Sequence, residues 1–245
     1  MNEFEREVAE RVEANATNPP LQAAAGEFMN ASIAAKYSYN FSWLGRPVIQ
    51  YPQDIVAMQE LIWSLQPELI VETGIAHGGS LIFSASMLEL NAACGGPADA
   101  RVVGVDIDIR AHNRKAIEAH PMFRRISMIE GSSVAPEVVA TVREMAAGKS
   151  VLVCLDSNHT HEHVLAELEA YAPMTTVGSY CVVFDTIVED LPEALSGDRP
   201  WGPGDNPMTA ARRYLAEHPE FEIDRRVDAK VLIGVAPQGY LRRVR

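Results

Sequence analysis

The sequence predicts an α/β fold: a mostly parallel sheet of seven strands with helices on both faces and one antiparallel strand. Three observations carry that reading. Short apolar runs begin at Leu69, Arg101, Ile126, Val151 and Ser179, and apolar runs of this length bounded by turn residues read as strands buried on both faces. The stretches between them are long enough for helical crossovers, which makes the strands parallel and the connections right-handed. The stretch Leu69–Ser80 passes from an apolar run through three glycines and an alanine into Leu81–Leu88. Strand, small-residue turn, helix is the geometry that brings backbone amides close to a nucleotide-like ligand.

Taken in order, residues 1–17 suit an amphipathic helix stopped by Asn18-Pro19-Pro20, and 21–36 suit a second. The aromatic-rich Tyr37–Pro47 has no clear period and is expected to cover the core, a site or a subunit contact, the last making a homo-oligomer reasonable. Asp54 reads as the N-cap of a helix whose inner face is Ile55, Met58, Leu61, Ile62 and Leu65, ended by Pro67. Strands ending at Glu72, Asp106, Gly131-Ser132, Asp156 and Asp185 then alternate with helices near 110–120, 134–147, 160–171 and 207–217. Phe221–Asp224 and Lys230–Val235 are expected to close the chain as a hairpin. No repeat or linker interrupts this series, so residues 48–245 read as one domain behind an N-terminal extension, 1–47.

Composition bounds the function. A chain of 245 residues with 47% apolar content can bury a full core. Its net charge of −12 argues against nucleic acid or an anionic membrane as partner, since either wants a basic face. No apolar run approaches the roughly 18 residues of a spanning helix. The charged first 13 residues do not resemble an export signal, and Cys94, Cys154 and Cys181 form no spaced pair. A cytoplasmic protein with free thiols is expected.

In an open parallel sheet ligands sit beyond the carboxyl ends of the strands, and here four of five successive ends carry an acid. A carboxylate after the second strand, Asp106, can accept both hydroxyls of a ribose. A dinucleotide site wants G-x-G-x-x-G with its acid about 20 residues on. This chain instead has Gly74-x-x-x-Gly78-Gly79, with Asp106 32 residues past the first glycine. A ligand without phosphates fits better: S-adenosylmethionine, its amino-acid end near Glu72–Ser80, ribose on Asp106 and adenine near Gly131-Ser132.

Glu72-Thr73-Gly74-Ile75-Ala76-His77-Gly78-Gly79-Ser80 resembles the ETGxAHGGS signature of the cephalosporin hydroxylase/rhamnosyl O-methyltransferase family of class I methyltransferases. Gln50–Asp54, Gly104–Asp108, Asp156–His159 with Glu162–Leu165, and Gly239–Arg243 support the likeness in order. The resemblance implies a Rossmann-like sheet of order 3-2-1-4-5-7-6 and methyl transfer from S-adenosylmethionine to a hydroxyl, often on a sugar or natural-product scaffold. Glu72, Gly74, Ala76, His77, Gly78, Ser80, Asp106, Gly131, Ser132 and Asp156 become the expected cofactor contacts. It also implies a divalent metal such as Mg²⁺, held by an aspartate after strand four and a Glu-Asp pair after strand five. Asp156 and Asp185 match the aspartates; Phe184 stands in the glutamate's place.

His159, three residues past the strand-four aspartate, is the expected general base beside Asp156 and Asp185, because an imidazole titrates near neutrality. His161 and His163 point to different helix faces and make a weak metal set. Arg199–Pro207 reads as a loop over the same mouth, where Trp201 could stack on a sugar and Asp205 or Asn206 cap the next helix. Two other readings stay open: a metal-dependent hydroxylase or lyase, and a non-catalytic scaffold that binds the cofactor without turnover.

Overall fold

The computed structural model describes residues 2–195 and 197–245. Two helices lead, α1 (Glu3–Ala16) and α2 (Pro19–Ala34). Asn18 and the two prolines open α2 rather than merely ending α1: the Asn18 side chain accepts from Leu21 N, and proline suits a first turn whose amides have no helical partner. A short hairpin follows, β1 (Phe41–Trp43) and β2 (Arg46–Val48), in the segment that showed no period. Its turn places Leu44 and Gly45 at φ +45° and +84°.

The main body is α3 (Pro52–Leu65), β3 (Leu69–Thr73), α4 (Gly79–Ala93), β4 (Arg101–Asp106), α5 (Ala111–Glu118) and β5 (Ile126–Glu130). After these come α6 (Pro136–Ala146), β6 (Val151–Leu155), α7 (His161–Tyr171), β7 (Tyr180–Val183) and α8 (Pro207–Glu217). The chain closes with β8 (Phe221–Ile223), α9 (Arg225–Val231) and β9 (Tyr240–Arg243). The large sheet runs β5-β4-β3-β6-β7-β9-β8, which is 3-2-1-4-5-7-6 when strands are counted from β3. β9 is antiparallel to both its neighbours, β7 and β8, and so runs against the rest of the large sheet.

Two expectations are corrected. Lys230–Val235 is no strand: the Asp224 side chain accepts from Arg226 N and starts α9, so the strand that pairs β8 is β9. Asp54 is not the N-cap of α3. Tyr51 holds that position with Pro52 behind it, and Asp54 lies fully buried in the first turn, its Oδ2 accepting from Val235 N at 3.0 Å.

Strand alternation divides the core. Ile70, Val102, Leu152, Cys154, Val182 and Phe184 face α3 and α4, packing with Met58, Ile62 and Leu81. Leu69, Val71, Val103, Val153 and Val183 face the other way, onto Val142 of α6, Leu168 of α7 and Tyr214 of α8. β3 and β6 are buried throughout, which explains why they read as unbroken apolar runs. The three cysteines are free, two of them buried. Among the described residues no helix is long and apolar enough to cross a membrane.

Candidate active site

The turn after β3 is built by backbone constraint. Gly74 N donates to Val105 O at 2.8 Å, its φ is +89°, and a Cβ added there would drive into the Asp156 carbonyl. Ala76 is also left-handed, at φ +44°. Asp106 braces the turn: Oδ2 accepts from Ile75 N at 2.8 Å and Ala76 N at 3.2 Å, and Oδ1 from Asp108 N at 3.0 Å. From the other side Arg46 donates to His77 O through Nε (3.0 Å) and Nη2 (2.5 Å), and Asn113 donates to Ala76 O. Arg46 and Asn113 were invisible to motif reading, because each acts across more than thirty residues of chain.

Glu72 is buried beneath this turn, with Ser80 Oγ donating to its carboxylate. Desolvation pushes its carboxyl up to about 7, against the lowering effect of that hydrogen bond.

A cavity of about 450 Å³ opens beside the turn, within the usual range for small-molecule sites. Gly74, Ala76, His77 and Ser80 line one wall, and Asp156, His159 and Asp185 another. Glu72, Gly78, Asp106, Gly131 and Ser132 do not form its wall; the first three support the turn, and Gly131 N bonds Asp106 O. The wall also holds Lys36, which no motif reading selected, and Gln50, which the family likeness included without a role.

Asp156, His159 and Asp185 each offer one ligand atom, all within 4.8 Å of one another, and they are the one such set among the described residues. His159 Nε2 lies 3.2 Å from Asp185 Oδ2. Burial, then the neighbouring Asp185, raises the Asp156 carboxyl well above the ordinary carboxylate range. Phe184 is 3% exposed and packs in the core on the α3/α4 side, outside the cavity wall. His161 and His163 turn elsewhere. His161 N donates to Asp205 and its ring meets Thr209, while His163 contacts Ser133, Ser157 and Glu167.

The loop after β7 is fastened to this cluster. Asn206 caps α8, whereas Asp205 serves α7 by accepting from His161 N at 2.6 Å. Glu189 accepts from Gly204 N at 2.8 Å. The Trp201 ring stands edge-on to His159, centroids 4.9 Å apart at 84°, and the Arg199 guanidinium lies over Trp201 at 5.9 Å.

Comparison with known proteins gives the same picture. The family model described as Rhamnosyl O-methyltransferase/CmcI matches residues 35–244. Rhamnosyl O-methyltransferase of Mycobacterium tuberculosis (strain ATCC 25618 / H37Rv) is 32% identical over 197 residues, covering 78% of this chain and 73% of that protein. The Mycobacterium leprae (strain TN) protein of the same name is 30% identical over 206 residues, with 82% of each covered. Among solved structures, one of CmcI with Mg and SAM superposes at TM-score 0.55 with 19% identity, over 84% of this chain and 78% of that one. The O-methyltransferase from Bacillus cereus in complex with SAH gives 0.52 and 16% over 81% of each. At such identities these two show the shared fold.

Proposed function

Because this chain belongs to the Rhamnosyl O-methyltransferase/CmcI family, we propose that it is an S-adenosylmethionine-dependent O-methyltransferase whose acceptor is a sugar hydroxyl, rhamnose-like by the names of its relatives. The observation that carries the reading is the cavity itself, where the Gly74–Ser80 turn faces Asp156, His159 and Asp185. The relatives' names favour neither a hydroxylase or lyase nor a scaffold without turnover. In this reading residues 48–245 are the catalytic domain, and the preceding extension lends α2 and the hairpin to the cavity rim. A cytoplasmic location and a homo-oligomer belong to the same proposal.

The residues present fit the methyl donor. The first turn of α4 leaves amides without helical partners, Ser80 presents a hydroxyl on the cavity wall over the buried Glu72, and Asp106 keeps lone pairs beyond its three backbone bonds. Bound there, S-adenosylmethionine supplies a methyl group on a sulfonium whose departure leaves a neutral thioether.

Two carboxylates also fit a divalent ion. Mg²⁺ needs only one or two, completing its shell with water and acceptor oxygens, and a cation between Asp156 and Asp185 would relieve the repulsion that raises the Asp156 carboxyl. Such an ion supplies Lewis-acid polarisation of the acceptor hydroxyl.

The chain's own residues do the rest. The turn and the Asp156 wall hold donor and acceptor in line, which is the largest part of catalysis for so reactive a methyl group. As the new O–C bond forms, the acceptor loses its proton to His159, which Asp185 orients and whose charge Asp185 balances. Trp201 fixes the ring from its edge.

Isothermal titration with S-adenosylmethionine and S-adenosylhomocysteine tests the cofactor half, and methyl transfer to methyl rhamnoside tests the whole. Micromolar binding that Asp106→Ala weakens by about 1 kcal/mol or more per lost cap is expected. No binding of either molecule, or an Asp106→Ala protein that behaves as wild type, would sink the proposal.

A further inference from the structure

The cavity carries more polarity than methyl transfer to a neutral sugar requires. Lys36 and Arg199 both line it, from different elements: Lys36 at the junction after α2, Arg199 in the loop after β7. Neither has a carboxylate within salt-bridge distance among the described residues, and the Arg199 guanidinium lies over the face of Trp201. Lys36 holds a left-handed backbone, φ +53° and ψ +40°, a conformation that costs a residue with a Cβ about 1–2 kcal/mol. Gln50 is only 5% exposed yet on the cavity wall, and its carboxamide bonds no protein group among the described residues. Its donors and acceptor are therefore free to meet a ligand in place of water.

The electrostatic setting matters here. The chain has a net charge of −12, and the cavity wall carries Asp156 and Asp185. An anionic molecule entering such a cavity is repelled unless cations line it as well. Two unpaired cations at this one mouth have an obvious use only if the ligand that enters is itself negative.

We propose that the acceptor is an anionic glycoside, its phosphate or carboxylate group held by Lys36 and Arg199 and a neighbouring sugar hydroxyl read by Gln50. The inference rests on the O-methyltransferase reading and narrows its substrate class. The path of contacts Arg199–Trp201–His159–Asp185 ties the anion subsite to the reacting centre, so seating the charge sets where the sugar lies relative to the base. Gln50 belongs to the stretch Gln50–Asp54 that the family likeness singled out, and this gives its first residue a task.

The test uses the full chain saturated with S-adenosylhomocysteine. Four probes are titrated: methyl α-L-rhamnoside, rhamnose 1-phosphate, thymidine diphosphate rhamnose and methyl glucuronide. At least one charged probe should bind about 10- to 100-fold more tightly than the neutral rhamnoside, as charge-assisted contacts give. That advantage should shrink with added salt and disappear in the Lys36→Gln/Arg199→Gln double variant, with Lys36→Arg retaining it. Gln50→Leu should weaken all bound sugars alike. Comparing the phosphate probes with the glucuronide separates the two sources of negative charge. Equal affinity for neutral and charged probes, or no binding by any charged probe, overturns the proposal. So does a loss of S-adenosylhomocysteine affinity in the Lys36 variants, which would assign that cation to the cofactor's carboxylate instead. Failure of wild type to bind S-adenosylhomocysteine at all is a different result, and strikes the enzyme reading itself.

Discussion

Gly74→Ala offers a clean measurement of how far the cofactor turn is fixed by close packing, because the fold supplies its own control. Gly74 and Gly178 have nearly the same φ, +89° and +90°. An added Cβ at Gly178 meets nothing within 4 Å, whereas at Gly74 it enters the carbonyl group of Asp156. Each substitution bears the left-handed penalty of about 1–2 kcal/mol. Only Gly74→Ala adds the cost of overpacking, typically about 1–3 kcal/mol, and the atom it displaces is backbone of a residue in the acidic cluster. For a chain of this size 1 kcal/mol moves the melting temperature by about 2–4 °C, so Gly74→Ala should melt about 2–12 °C below Gly178→Ala. Gly178 precedes β7 at the opposite end of the sheet from the site, so its variant should bind S-adenosylhomocysteine as wild type does. Gly74→Ala should lose that binding at least tenfold. Scanning calorimetry and titration on the two proteins decide it. Equal melting temperatures and equal affinities would mean that β3 and β6 are not in contact through this turn as described.

Other outcomes follow from the same geometry. His159→Asn should lower kcat by about 10²–10⁴-fold while leaving S-adenosylhomocysteine affinity in place. Added Mg²⁺ should raise the melting temperature of wild type, by the equivalent of about 2.7 kcal/mol at a hundredfold excess over Kd, and should leave Asp185→Asn unmoved; an equal response in both would place the ion elsewhere. Asp54, fully buried, has its carboxyl pushed up by desolvation from an ordinary 3.8 to about 7. The folded state therefore keeps a proton that the unfolded chain gives up near pH 4. The stability tied to this proton is complete below pH 4 and is lost as pH rises through 7, a change of up to a few kcal/mol. Denaturant melts at pH 5 and 8 should show wild type weakening with pH and Asp54→Asn much less so; parallel behaviour of the two would refute the assignment.

How much of this was legible in the sequence depends on the range of the interactions involved. The five strand ends were readable because strands buried on both faces must be apolar runs and must stop where polarity begins, as at Asp106, Asp156 and Asp185. Local rules failed where packing outranks them. Lys230–Val235 is apolar enough for a strand, yet Asp224 caps a helix there and Val235 joins the core as loop. Asp54 has the right chemistry for a cap, but Pro52 at the helix start moved it inward, where it holds Val235 N across 181 residues. The hairpin before α3 escaped because Leu44-Gly45 is not one of the turn pairs that announce a tight reversal.

The site divides along the same line. One wall is a contiguous stretch of which Gly74, Ala76, His77 and Ser80 line the cavity, while Glu72, Gly78, Asp106, Gly131 and Ser132, also expected as cofactor contacts, lie outside it. Its other wall is assembled from loops after two strands, and the absent glutamate at Phe184 left that half ambiguous. The fold answers part of the ambiguity: position 184 shares the sheet face of Val182 and is filled by core packing, while His159 stands next to both aspartates. An imidazole in such a cluster brings no negative charge and adds a group that can either ligate or carry a proton. Competition between those two uses of His159 is the chemical question this cleft poses. Activity measured with and without Mg²⁺ in His159→Asn distinguishes them, because a lost base lowers the rate at every metal concentration, whereas a lost ligand is compensated by excess metal.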